Sequence, residues 1–193
     1  MAIQLFTDSS SDLSKKTRED LNIKYFRMGI VVAGKEKHAD MDWEEYSPEQ
    51  LYEWVSNLSN KCKTTQVSYA EYLTKMEETL NKGDDIFYLS CSTALSGSLN
   101  TFLLVKDELQ AKYPNSKIVG IDSTKANMAL GLMVIDAAKE IQKGVSIEEL
   151  EKWVLENRQF YNQVGSVETL TYLRAAGRVS GASAFFGNII GIK

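Results

Sequence analysis

Three short apolar runs in this chain each break into a cluster of hydroxyls, and a helical pattern follows each cluster. Ile3-Gln4-Leu5-Phe6-Thr7 stops at Asp8-Ser9-Ser10-Ser11-Asp12. Ile86-Phe87-Tyr88-Leu89 runs into Ser90, Ser92, Thr93, Ser96 and Ser98 around Gly97. The run 116–121 stops at Asp122-Ser123-Thr124. "FTDSSSD" at 6–12 and "GIDSTKA" at 120–126 share one shape, an apolar strand, an aspartate and then hydroxyls; "YLSCSTALSG" at 88–97 is a version without the acid. Strands that alternate with helices specify an α/β fold whose mostly parallel sheet is flanked by helices. The three hydroxyl clusters then fall at carboxyl ends of strands, where open α/β sheets bind ligands.

The rest of the chain fits that frame. A short helix is expected over 13–21. Residues 24–33 alternate and are rich in Ile, Val and aromatics, so they predict one strand, with a turn at Gly34-Lys35 and a short return strand at 36–39. Ser47-Pro48-Glu49-Gln50 reads as a helix start, with Leu51, Trp54, Val55 and Leu58 at helical spacing behind it. Residues 63–67 read as a loop, and Ser68 opens a helix carrying Tyr72, Leu73, Met76 and Leu80. Helices are expected over 97–112, stopping before Pro114, and over 125–142. Another follows the Ser146…Glu149 capping box, with Ile147, Leu150, Trp153 and Val154 as its buried stripe. A strand at 163–167 and a short helix at 169–176 ending at Gly177 lead into a Gly- and Ser-bearing, then apolar, tail. No Pro/Gly/Ser linker or low-complexity tract divides the chain.

Composition removes several classes of function. The net charge of -4 over 193 residues gives no broad basic surface for nucleic acid. No apolar run reaches the roughly 20 residues of a membrane span, and the N-terminus lacks the basic start and apolar core of a signal peptide, so a cytoplasmic protein without stable membrane insertion is expected. Cys62 and Cys91 form no CxxC pair, and with His38 as the single histidine they build no usual zinc site, so no metal is expected. Gly-x-Ser-x-Gly, the phosphate-binding Gly-x-x-x-x-Gly-Lys-Ser/Thr and Gly-x-Gly-x-x-Gly are all absent.

What remains is a set of hydroxyls at helix starts. A hydroxyl without a base is a poor catalyst but a good partner for an anion, and helix N-termini add free N–H groups and a positive partial charge. For Ser9, Ser123 and Ser146 taken singly, capping or turn roles suffice. The 90–98 cluster carries more hydroxyls than one cap uses, and Thr64-Thr65-Gln66 starts too early to be only the cap of the next helix. Candidate ligand-binding residues are therefore Thr64, Thr65, Ser92, Thr93 and Ser96, with Ser9 and Ser123 at the matching positions of the other two clusters. Leu95, Leu99, Phe102, Met128, Met133, Phe185 and Phe186 could line an apolar tunnel or be ordinary core. The competing reading is an enzyme acting on a phosphorylated small molecule, with Asp8 or Asp122 as acid or base.

Taken together, five blocks resemble the DegV family of bacterial lipid-binding proteins. "FTDSSSDLS" at 6–14 is similar to that family's opening block, "KTTQVS" at 63–68 to its Lys-Thr-Ser-Gln-Pro-Ser, and "SCSTALSGSLNT" to its serine block. "IDSTKANMALGLMV" at 121–134 and "VETLTYLRAAGRVS" at 167–180 supply the remaining two, in the family's order. Val67 stands where the family has proline, which gives up a fixed φ, and Ala176 stands where it has glycine.

The resemblance implies a carrier, not an enzyme, that needs no cofactor and buries one long-chain fatty acid. It implies that the carboxylate is presented to a fatty acid kinase subunit. By the same resemblance Thr64 and the Ser92, Thr93 and Ser96 block would hold the carboxylate, and Arg178 would contact the kinase. It also implies two domains. Residues 1–162 would form the N-terminal α/β domain that binds the headgroup, and 163–193 would begin a second α/β domain that the chain leaves incomplete.

Overall fold

A computed structural model describes residues 2–179. Its elements run β1 (Ile3–Asp8), α1 (Lys15–Asp20), β2 (Ile23–Phe26), β3 (Met28–Val32), β4 (Lys35–Ala39) and α2 (Pro48–Ser56). They continue β5 (Lys63–Thr65), α3 (Tyr69–Leu80), β6 (Asp85–Ser90), α4 (Ser98–Lys112) and β7 (Ile118–Asp122). The last three are α5 (Asn127–Gln142), α6 (Ile147–Asn157) and α7 (Thr171–Ala175).

Four strands form a parallel sheet in the order β2-β1-β6-β7. Side chains alternate along each strand, so the sheet feeds two cores. Phe6, Ile86 and Tyr88 face α3 and α4 and pack with Phe26, Tyr72, Met76 and Phe102. Leu5, Phe87 and Leu89 face the other way and pack with Leu130, Met133 and Val134 of α5 and with Leu150 and Val154 of α6. The strand order runs outward from β1 to β2 on one side and from β6 to β7 on the other. The reversal therefore lies between β1 and β6, below the loops that carry two of the hydroxyl clusters.

Two expectations fail at the second, three-stranded sheet, ordered β4-β3-β5 and antiparallel. The run 24–33 is two strands in two sheets. The Arg27 N–H donates to Glu71 Oε1 at 3.0 Å and the Met28 N–H to Ser9 Oγ at 3.0 Å, so side chains take the donors that would have continued a ladder. Residues 63–65 are a strand, β5, paired to β3 in the register Gly29↔Thr65, Ile30↔Thr64 and Val31↔Lys63. No local pattern marks a three-residue strand; its partner makes it one. The hairpin from β3 to β4 turns on Ala33 and Gly34, both at positive φ, as a two-residue hairpin requires.

The strand expected at 163–167 is absent: those residues carry no ladder, and Val164 is 98% exposed. A strand needs a partner edge or a buried face, and among the described residues this segment has neither. The capping signals at Ser47, Ser68, Ser146 and Gly177, by contrast, read correctly. Ser47 and Ser146 close capping boxes with Gln50 and Glu149, Ser14 and Ser68 cap α1 and α3, and Gly177 ends α7 at positive φ. No described helix is long and apolar enough to cross a membrane, and no cluster of three metal-ligating side chains occurs among the described residues. Residues 180–193, with Phe185 and Phe186, lie outside the described residues.

Candidate functional site

At the strand reversal the loops after β1 and β6 are tied together by Asp8. This carboxylate is fully buried and accepts four hydrogen bonds: from the Ser10 N–H at 3.1 Å and hydroxyl at 2.5 Å on one oxygen, and from the Tyr88 hydroxyl at 2.9 Å and the Cys91 N–H at 2.7 Å on the other. Tyr72 donates onward to the Tyr88 hydroxyl at 3.1 Å. Burial pushes the Asp8 carboxyl above the usual carboxylate range, and the four donors oppose that shift. Burial, then the nearby Asp8 charge, raises the Cys91 thiol to about 11, which leaves it unreactive.

The loop after β6 is also tied to the loop after β7. The Ser92 N–H donates to the Lys125 carbonyl at 2.8 Å, the Thr93 hydroxyl donates to Asp122 Oδ2 at 2.6 Å, and the Ser123 N–H donates to the Ser90 carbonyl at 3.3 Å. The Asp122 carboxylate further accepts the Thr93 N–H at 3.3 Å and the Thr124 N–H at 2.7 Å. Both acids of the competing enzyme reading are thus hydrogen-bonded within these loops; Asp8 is sealed from solvent, and Asp122 is half-buried.

Each sequence candidate can now be placed. Ser9 Oγ accepts the Met28 N–H and so ties the loop after β1 to the start of β3, and Ser123 Oγ sits between the Lys125 N–H at 3.0 Å and carbonyl at 3.1 Å and so serves a turn. Ser96 Oγ accepts the Ser98 N–H at 3.2 Å, and Ser92 Oγ accepts the Ala94 N–H at 3.3 Å. The "KTTQVS" segment is stitched to the start of α4: the Val67 N–H donates to Ser98 Oγ at 3.1 Å and Gln66 Nε2 to Thr101 Oγ1 at 2.8 Å. A proline at position 67 would lack the first of these bonds, so the departure from the family pattern exchanges a fixed φ for a tether. α4 and α5 begin at the site end without a side-chain cap, while α1, α2, α3 and α6 each carry a serine cap.

Thr64 and Thr65 part company. In β5 successive side chains point to opposite faces, and Thr65 meets Glu36 at 3.5 Å across Gly29. Thr64, paired with Ile30, faces a cleft of about 420 Å³. Ile30, Tyr46, Leu51, Val55, Leu58 and Leu173 give this cleft its apolar wall, with Lys61, Lys63 and Arg178 at its polar edge. No Asp or Glu lines it, and these three cations form no ion pair among the described residues. Ser92, Thr93 and Ser96 do not line it; they lie beyond the Gln66–Val67 stitch.

Sequence reasoning missed this cleft. Leu99, Phe102 and Met133 are buried core, Leu95 and Met128 are exposed, and the apolar wall comes from α2 and the small sheet instead. The available signal was the α2 stripe at helical spacing: no residue of α2 is fully buried, so its apolar face is only partly covered by the fold.

The class these features define is an open, doubly wound α/β domain with hydroxyls and free helix starts at its strand reversal. The chain belongs to the DegV family, described as a family of uncharacterised proteins, whose model matches residues 2–193. A DegV domain-containing protein of Clostridium perfringens is 33% identical over 189 residues, which cover 98% of this chain and 64% of that one. A DegV family protein from Thermus thermophilus, described by its fatty acid binding, superposes with a TM-score of 0.81 at 26% identity, covering 98% of this chain and 65% of that one. A stearic acid-binding protein from Eubacterium ventriosum has the same fold, with a TM-score of 0.78 at 21% identity over 95% of this chain and 63% of that one. The chain thus spans somewhat less than two thirds of the length of these relatives.

Proposed function

We propose that this protein binds a long-chain fatty acid, lays the acyl chain in the apolar cleft, and holds the carboxylate at Thr64 with the Ser92–Ser96 loop. One observation carries the reading. Thr64 is the sequence-predicted hydroxyl that faces an apolar cleft, and the edge of that cleft bears cations and no acid. An amphipathic anion meets both requirements, and the fatty acid binding of the Thermus thermophilus relative supports the same ligand class.

Magnitudes divide the work. Each buried methylene contributes about 0.8 kcal/mol, and each hydrogen bond to a charged group roughly 1.5–3 kcal/mol. Over a long chain the tail dominates affinity, and the hydroxyls set which end is presented. That division suits a cytoplasmic carrier which hides the tail and offers the carboxylate to a fatty acid kinase. In this reading Arg178, exposed beside the cleft, meets that kinase.

Native mass spectrometry of the purified protein tests the ligand class: a bound species with the mass of a fatty acid supports the reading, and a phosphorylated small molecule overturns it. Thr64→Ala combined with Ser92→Ala is expected to weaken binding of free fatty acid about tenfold or more, through loss of hydrogen bonds to a charged group, and to leave its methyl ester nearly unaffected. Equal loss for acid and ester defeats the carboxylate assignment.

A further inference from the structure

The cleft that Thr64 faces has a neighbour. A second cleft, of about 440 Å³, lies between the Ser9–Ser14 turn and the 39–43 loop, with Leu13, Met41 and Trp43 on its walls. Ala39, Tyr46 and Leu51 line both. The two spaces are thus separated by a wall three side chains wide, and Tyr46 is its largest member.

Tyr46 is held firmly for a residue between two voids. It is 6% exposed, its hydroxyl donates to the His38 carbonyl at 3.0 Å, and its ring packs edge-on to Trp43 and against Trp54, with centroids 5.9 and 5.2 Å away. This hydroxyl bond ties the ring to the main chain of β4. Its effect is to pin the ring across the passage.

We propose that Tyr46, with Ala39 and Leu51, is the stop that sets how long an acyl chain the cleft accepts. This rests on the fatty acid reading of the same cleft. With the stop in place, a chain entering past Thr64 ends at the Tyr46 ring. With the ring removed, the methyl end passes toward Leu13, Met41 and Trp43, and the accessible space roughly doubles. Each further methylene buried tightens binding about fourfold. The selectivity should therefore move toward longer acids, not toward tighter binding of all acids.

The test offers wild-type and variant protein an equimolar series of saturated fatty acids of increasing length and reads the bound distribution by native mass spectrometry. Tyr46→Ala and Leu51→Ala are expected to raise the ratio of longer to shorter bound acids at least tenfold. Ala39→Leu, which thickens the wall, is expected to move the distribution the other way and provides the readout should the truncations unfold. Tyr46→Phe keeps the ring but loses its tether to the His38 carbonyl, and should move the distribution in the same direction as Tyr46→Ala but less far. Folded variants that keep the wild-type distribution overturn the proposal while leaving fatty acid binding intact. A wild-type protein that captures no fatty acid overturns the functional reading and this inference with it.

Discussion

The Asp8 carboxylate, at the end of β1, accepts the main-chain N–H of Cys91 at 2.7 Å, where the loop after β6 begins. Both residues are buried, and this contact closes the strand reversal beneath the serine loop. In Asp8→Asn an amide nitrogen replaces one acceptor, which strands either the Ser10 pair of donors or the Tyr88 and Cys91 pair. At about 1–3 kcal/mol for each buried donor left unpaired, the variant should lose roughly 3 kcal/mol. The expected result is a lower denaturant midpoint at an unchanged slope. An unchanged midpoint would show that Asp8 is dispensable to the fold and would reopen a chemical role for it.

Glu71 on α3 holds the break between β2 and β3, taking the Arg27 N–H, both arms of the Arg27 guanidinium and the Lys75 ammonium at 2.7 Å. Burial resists its ionisation, but the bonds from Arg27 and Lys75 outweigh burial and bring the carboxyl down to about 2 from 4.5. A depressed acid stabilises the fold above its unfolded value and loses that contribution as pH falls toward its folded value. The stability gap between wild type and Glu71→Gln should therefore be full above about pH 5, at roughly 2 kcal/mol, and shrink between about 4.5 and 2. Urea titrations across that range measure it, and a gap that does not change with pH counts against Glu71 being ionised in this pairing.

Burial at Thr7 works in the other direction. Among the described residues its hydroxyl oxygen is buried without a hydrogen-bond partner, on the strand face shared with Leu5 and the α5 core. Thr7→Val keeps the shape and removes the orphaned group, so it should stabilise the protein by about 1 kcal/mol. Thermal unfolding reads the change. A lower midpoint would mean that the hydroxyl has a partner after all.

Period and punctuation carried most of the fold into the sequence. The runs of β1, β6 and β7, the serine caps of α2, α3 and α6 and the hydroxyl clusters are local signals, and each lies where the chain alone places it. What escaped local reading depends on partners distant in sequence. β5 is a strand only because β3 lies beside it, and the run 24–33 divides because Glu71 and Ser9 claim its amides. At the candidate site the residue types were legible and their sorting was not. Thr64 and Thr65 are adjacent letters, yet the pleat sends one to the apolar cleft and the other to Glu36. Asp8 is similar: its sequence context gives an acid at a strand end, and only the fold shows that all its acceptor positions are taken.

Arg158 links the chain beyond α6 back to these loops. Its Nη1 donates to the Asp122 carbonyl at 2.8 Å, and Gln163 Oε1 accepts the Ala126 N–H at 3.1 Å. The turn they hold has Thr124 and Asn127 at positive φ, a conformation that costs a non-glycine residue about 1–3 kcal/mol unless its surroundings impose it. The Lys125 carbonyl in that turn in turn receives the Ser92 N–H. Arg158→Ala should therefore release the turn and, with it, the serine loop, without touching the sheet. Hydrogen exchange at the Ser92, Ser123 and Ala126 amides is expected to speed up about tenfold, the equivalent of about 1.4 kcal/mol, while β1 and β6 amides keep their protection. Exchange that rises equally throughout the domain would assign Arg158 to global stability instead, and exchange that does not change would remove it from the site.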